Sequence, residues 1–242
     1  MRHAFTVTLF AFALWLTSSA SGAVLVFQAE DFASETGNME FNTVADAQPA
    51  AFSPGGAFGG FQIETTEGDF GDSPDSAVVY NLTFPEAGVY NLYARVRVPD
   101  NAAGSNSDSF FRPNDFGTPA VNVDADWSQV NSLGDVQTDE QYFWVDVTDG
   151  QDANGINDNI TGGVDSAFYT VPVGSLNQTF HIGDREDETR LDMFIFSMDD
   201  LNGAQLEALA FADRVDLGDD ILTSMAPQSG DSGTLDGPMG PE

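Results

Sequence analysis

The sharpest alternation of apolar and polar side chains runs from Tyr90 to Val98. Tyr90, Leu92, Ala94, Val96 and Val98 fall on one face, and Asn91, Tyr93, Arg95 and Arg97 on the other. A period of two over that length predicts a half-buried strand, and Pro99 ends it. Shorter runs predict strands over Val24–Gln28, Phe61–Glu64, Ala77–Phe84, Ser107–Arg112, Tyr142–Val147 and Ser166–Val171. Turn clusters separate them: Asp69–Ser76 (DFGDSPDS), Pro85–Gly88, Arg112–Pro119 (RPNDFGTP) and the polar loop Asp149–Asn159. Leu176–Asp199 supplies two further apolar runs. Phe180 and Ile182 carry the first, and Leu191, Met193, Phe194, Ile195 and Phe196 the second, joined by the charged loop Asp184–Arg190 (DREDETR). Two such runs around a polar loop predict a hairpin. Ala33–Gly60 and Val121–Val136 carry no clear period.

About nine short strands between turn signals predict an all-β fold, an antiparallel β-sandwich. Helical patterning is confined to Asn202–Ala212, where Leu206, Leu209 and Ala210 share a side. Beyond it the chain turns to Asp, Gly, Ser and Pro, and Ser224–Glu242 has little to bury, so a disordered tail is expected. At the other end, Arg2, the apolar stretch Phe5–Leu16 and the small residues Ser21, Gly22 and Ala23 predict a signal peptide over residues 1–23. The expected division is therefore a signal peptide (1–23), a sandwich module (24–200), and a short helix with an acidic tail (201–242), the tail being a candidate contact for a protein partner. The expected location is secreted or periplasmic. No later stretch has the ~20 apolar residues of a spanning helix, so membrane insertion is not expected.

Charge narrows the partners. The chain carries 39 Asp and Glu against seven Lys and Arg, a net charge of −32, and all seven basic residues are Arg. Such a field repels nucleic acid and anionic membrane and favours cations. Much of it fits adaptation to salty water, where screening tolerates self-repulsion. Cysteine is absent, so no disulfide, thiol nucleophile or thiolate metal site is available.

Several motifs in order resemble the calcium-binding, jelly-roll carbohydrate-binding modules of families 6 and 35, which have a galactose-binding-domain-like β-sandwich. They are Gln28-Ala29-Glu30-Asp31, YNLYARVRVP (Tyr90–Pro99), SDSFF (Ser107–Phe111), WVDVTDG (Trp144–Gly150) and Arg185-Glu186-Asp187-Glu188-Thr189-Arg190-Leu191-Asp192. Glu188 stands where that grouping has a glycine. The resemblance implies that the opening acidic strand lies beside the late Leu191-Asp192 strand, with Gln28, Glu30 and Asp192 as side-chain ligands of a structural calcium ion. A hand-like reading of the loop Asp149–Asn159, with Asp152, Asn154 and Gly155, fails because Gly150 stands at the first ligand position and Thr161 at the last.

A polysaccharide or glycan ligand needs aromatic faces for stacking and paired polar groups for hydroxyls. Trp127, in the polar setting DADWSQVN, and Trp144, opposite Phe143 and Val145, are the stacking candidates; packing into the core is the alternative for each. Arg112, Asn114 and Asp115, just beyond the SDSFF strand, and Arg185 and Asp187 in the closing loop are the polar candidates. Catalytic chemistry is sparse. Beyond residue 23 the one histidine is His181, mid-strand and read as a surface residue; no G-x-S-x-G elbow and no Lys are present. Carboxylate pairs are unavoidable among 39 acids and carry no information. The expectation is a non-catalytic carbohydrate-binding module. The alternatives are a structural or adhesive sandwich that binds no sugar, and a small polysaccharide hydrolase.

Overall fold

The computed structural model describes residues 22–37, 41–45, 57, 61–65, 71–99, 108–131, 133, 141–148, 159–161 and 168–216. The expected signal peptide up to residue 21, the loop residues 149–158 and the tail from residue 217 lie outside these residues. The described chain forms β1 (Val24–Gln28), β2 (Ser34–Gly37), β3 (Phe41–Ala45), β4 (Phe61–Thr65), β5 (Ser76–Thr83), β6 (Gly88–Arg97), β7 (Phe110–Pro113), β8 (Trp127–Asn131), β9 (Phe143–Asp146), β10 (Asn159–Thr161), β11 (Tyr169–Val171), β12 (Asn177–Gly183), β13 (Arg190–Ser197) and helix α1 (Gly203–Asp216).

Two antiparallel sheets result. In the first, β6 and β13 are central. β11 and β9 share the outer side of β6, β1 and β4 share the far side of β13, and β3 flanks β4. The second runs β10-β8-β7-β12-β5-β2. Phe27, Tyr80, Phe84, Tyr90, Phe180, Phe194 and Phe196 pack between them, with Phe180 5.2 Å from Phe196 and Phe27 5.1 Å from Tyr80. Buried hydroxyls are satisfied at the margins of this aromatic layer. That of Tyr80 donates to the Ala29 carbonyl at 2.6 Å and that of Tyr169 to the Pro113 carbonyl at 2.6 Å.

The expected hairpin over Leu176–Asp199 is a crossover. β12 pairs with β5 and β7, while β13 pairs with β1, β4 and β6 in the other sheet. Apolar period fixes which face of a strand is inward but not which sheet holds it. Here the two runs face each other across the interior instead of lying side by side. β2, β3, β8 and β10 were not legible as strands. β2, β3 and β10 are sheet edges with one ladder neighbour each, and such strands need little apolar patterning.

β13 is apolar on both faces for a physical reason. Leu191, Phe194 and Phe196 fill the interior, and Met193 and Ile195 lie on the outer face with Tyr93 and Trp144, under Leu206 and Ala210 of α1. The helix begins in a capping box. Asn202 Oδ1 accepts from the N–H groups of Ala204 and Gln205 at 3.1 Å each, and Gln205 Oε1 accepts from the Asn202 N–H at 3.0 Å.

Candidate functional site

The first candidate lies where β13 changes neighbours. Leu191 opposes Ile63 of β4, whereas Met193 opposes Gln28 of β1. Asp192 sits at that junction, and the β6–β13 register shifts there, Leu191 pairing with Val96 and Met193 with Arg95. A bulge of this kind re-aims one side chain. The Ala29 N–H donates to the Asp192 carbonyl at 2.9 Å, so the end of β1 is tied to the bulge. Gln28, Glu30 and Asp192, the set that the resemblance gave as calcium ligands, thereby lie on adjoining backbone at one junction.

The electrostatics there are unusual. Burial pushes the Glu30 carboxyl up to about 8, against a lesser lowering by a backbone hydrogen bond, with the charges of Asp192 and Asp31 adding to the rise. Glu30 Oε2 and Gln28 Oε1 are buried without a hydrogen-bond partner. Arg95 Nη1 contacts Asp192 Oδ2 at 2.5 Å, both side chains being fully buried. Among the described residues no group of three or more acidic or histidine side chains is placed to hold a metal. The seam supplies two carboxylates and one amide, all oxygen donors. That set fits a hard cation such as calcium, which also takes backbone carbonyls and water; the desolvated Glu30 and the unpaired amide oxygen are the features such an ion would relieve.

The closing loop is structural. Asp184 Oδ1 accepts from the Ser76 N–H at 2.9 Å, and Glu186 Oε2 from the Asp108 N–H at 2.8 Å. Arg185 Nη1 contacts both Glu186 and Ser109, and Asp187 is half-buried. The dense charge therefore latches the crossover rather than forming an open recognition surface. Glu188 has φ 62°, a left-handed backbone, which is the conformation that glycine adopts most easily.

The second candidate lies at the other end of the strands, in the β7–β8 connection. A shallow cavity of about 230 Å³ is lined by Asn114, Asp115, Phe116, Thr118, Pro119 and Asp126 among others. Asn114 Nδ2 donates to the Ala125 carbonyl at 2.9 Å, and its Oδ1 accepts from the Ser128 hydroxyl. Asp115 Oδ1 accepts from the Phe116 N–H at 2.7 Å and Asp126 Oδ2 from the Ala120 N–H at 3.0 Å. These bonds fix the rim. Phe116 is rooted beneath it, 5.1 Å from both Phe84 and Tyr169.

The other expected sugar contacts are elsewhere. Trp127 opens β8 and is 1% exposed, packed with Ala77 and Phe111, its indole N–H donating to the Ala120 carbonyl at 3.0 Å. Trp144 is 5% exposed under α1, with its N–H on Glu207 Oε2 at 2.8 Å. Neither offers an open stacking face. Arg112 is fully buried; it lies beside the Tyr169 hydroxyl, which burial pushes up to about 12 while Arg112 pulls the other way. His181, expected at the surface, is buried, and burial lowers its pKa. Phe116, Pro119 and Asp126 at the rim and Arg95 at the seam were not anticipated as site residues. The alternation of β6 did mark Arg95 as facing away from the core, but nothing local named its partner.

The fold is an antiparallel β-sandwich. No family model and no curated protein matches the sequence. Structural neighbours include the C-terminal family 6 carbohydrate-binding module of a marine laminarinase from Zobellia galactanivorans, with TM-score 0.40 and 11% identity over 72% of this chain and 98% of that one. A family 6 module from Clostridium cellulolyticum, in complex with xylose, gives 0.36 and 15% over 72% and 96%. A Podospora anserina mannanase carrying a family 35 module gives 0.41 and 13% over 73% of this chain and 28% of that one.

Proposed function

We propose that the chain is a secreted, non-catalytic module that binds a polysaccharide or glycan at the β7–β8 rim, with a structural calcium ion at Gln28, Glu30 and Asp192. The observation that carries the reading is the rim cavity itself. An amide and two carboxylates are pre-oriented by loop hydrogen bonds next to the apolar surfaces of Phe116 and Pro119. That pairing suits adjacent hydroxyls and an apolar sugar face. The calcium supports the rim only through the fold, since it sits at the opposite end of the strands and locks the opening strand onto β13.

A glycan microarray with soluble and insoluble polymers tests this reading. Binding that is lost in Asn114→Ala and Asp115→Ala, with unchanged melting temperature, supports it. Absence of binding to any glycan by the folded protein supports the second reading, a structural or adhesive sandwich. The burial of Trp127 and Trp144 is what favours that reading.

A further inference from the structure

We propose that the Ala20–Ser21 peptide bond is a proteolytic processing site, cut by a signal peptidase on export because the folded module needs the residues just after it; this rests on the secreted reading above. Two bonds fit the small-x-small pattern that such a peptidase reads. Ser18 and Ala20 frame one cut, and Ser21 and Ala23 frame another three residues later. Both follow the apolar stretch Phe5–Leu16, and the expectation of a signal peptide over residues 1–23 takes the later one. The structure separates the two, because Gly22 and Ala23 are part of the fold.

The β1–β13 ladder sets Val24 opposite Ser197, and its bonding runs on past that first rung. The Met198 N–H donates to the Ala23 carbonyl at 3.0 Å, and the Gly22 N–H donates to Asp199 Oδ2 at 2.6 Å. Ala23 and Met198 both pack against the interior cluster. Gly22 approaches so closely that a Cβ there would stand 2.9 Å from Asp199 Oδ1 and 3.0 Å from Met198 Cβ. Asp199 is itself held in place. Its N–H donates to Ser197 Oγ at 3.0 Å, and its carbonyl accepts from Asn91 Nδ2 at 3.4 Å. A cut after Ala23 discards both of the strand-end hydrogen bonds and the packing of Ala23, and puts an ammonium on the first rung of the ladder. A cut after Ala20 keeps all of these. Water adds across the Ala20–Ser21 bond, leaving a carboxylate on Ala20 and an ammonium on Ser21. That ammonium stands one residue before the N–H that Asp199 accepts, and a cation is favoured there in a chain of net charge −32. The strand that ends at Gln28 is thus fastened at its start as well.

Expression of the full chain in a bacterial host, with the first residue of the exported protein read by N-terminal sequencing and intact mass, tests the site. The expected first residue is Ser21. Ala20→Phe should abolish that terminus, because the residue before the cut must be small. A second measurement compares the melting temperatures of two chains released from a cleavable fusion, one beginning at Ser21 and one at Val24. The Val24 form should melt lower by about 3 °C or more, since two hydrogen bonds and an apolar contact are lost. An exported protein that begins at Val24, or at any residue other than Ser21, overturns the site while leaving secretion intact. Persistence of the Ser21 terminus in Ala20→Phe overturns the recognition of that bond, and equal melts overturn the claim that the fold needs the residues after it. A chain that stays uncut in the cytoplasm overturns both the site and the secreted reading.

Discussion

Arg95 Nη1 lies 2.5 Å from Asp192 Oδ2, and neither side chain reaches solvent. Asp192 would otherwise be a buried charge close to Glu30, in a strand wedged between β4 and β1. Removing one partner of a buried ion pair leaves the other uncompensated, a loss of about 3–5 kcal/mol. Arg95→Met should therefore destabilise the calcium-free protein by that amount in urea unfolding. Added calcium should recover part of the loss, because the cation would take over the neutralisation of Asp192. A loss below about 1 kcal/mol, the size expected for a surface pair, would contradict the burial.

The Glu30 carboxyl gives a second expectation. Its folded-state pKa is raised from 4.5 to about 8, so the folded protein holds this proton more tightly than the unfolded chain. The contribution to stability is fully present below pH 4.5 and is lost as pH rises to about 8. In chelator, the melting temperature of the wild type should fall across that window relative to Glu30→Gln. Calcium that binds only the folded form should raise the wild-type melt in the upper part of the window and do so less in the variant. Identical pH profiles for the two proteins would remove Glu30 from the seam, and a wild-type melt indifferent to calcium would remove the ion.

The sequence carried the in-plane features well. Alternation in β6 sorted its side chains onto the right faces, but the strand is not half-buried, because Tyr93 and Arg95 on the second face are buried too, Tyr93 beneath α1. The ordered motifs implied that the strand ending in Gln28 lies beside Asp192, and Gln28 pairs with Met193 while the Ala29 N–H reaches the Asp192 carbonyl. Glu188, standing where a glycine was implied, does adopt a left-handed backbone. What escaped was everything set by packing between distant segments. Trp127 looks polar in its own neighbourhood, yet the segment around Val121 folds over it, with the Asn122 N–H tied to the Pro74 carbonyl at 2.8 Å. Trp144 is covered by a helix that begins about sixty positions later. The strand period that located these indoles holds no information on what lies above the sheet.

His181 supplies a pH effect of opposite sign to that of Glu30. Burial lowers its pKa from 6.5, and its Nδ1 is buried without a hydrogen-bond partner. The folded state therefore binds this proton less readily than the unfolded chain, and stability is lost as pH falls below about 6.5. Relative to His181→Gln, the wild type should lose melting temperature on going from pH 7.5 to 5.5. Parallel melts over that range would show that the imidazole is solvated in the native state.

The docking of α1 makes the last prediction. Leu206 is fully buried against the outer face of the first sheet, in the cluster that contains Trp144, Tyr93 and Ile195. Glu207 also accepts the Trp144 N–H at 2.8 Å and lies 3.7 Å from Arg95. Truncating a buried Leu typically destabilises by about 2–5 kcal/mol; an Asp at the same position would have to leave the interface altogether. Leu206→Asp should therefore release the helix and expose Trp144, shifting its emission to the red, while Trp127, packed on the other sheet, keeps its spectrum. The signals are separable in Trp127→Phe and Trp144→Phe backgrounds. If the red shift instead comes from Trp127, the variant has opened the sandwich rather than undocked the helix; if neither indole responds, α1 does not cover this face in solution.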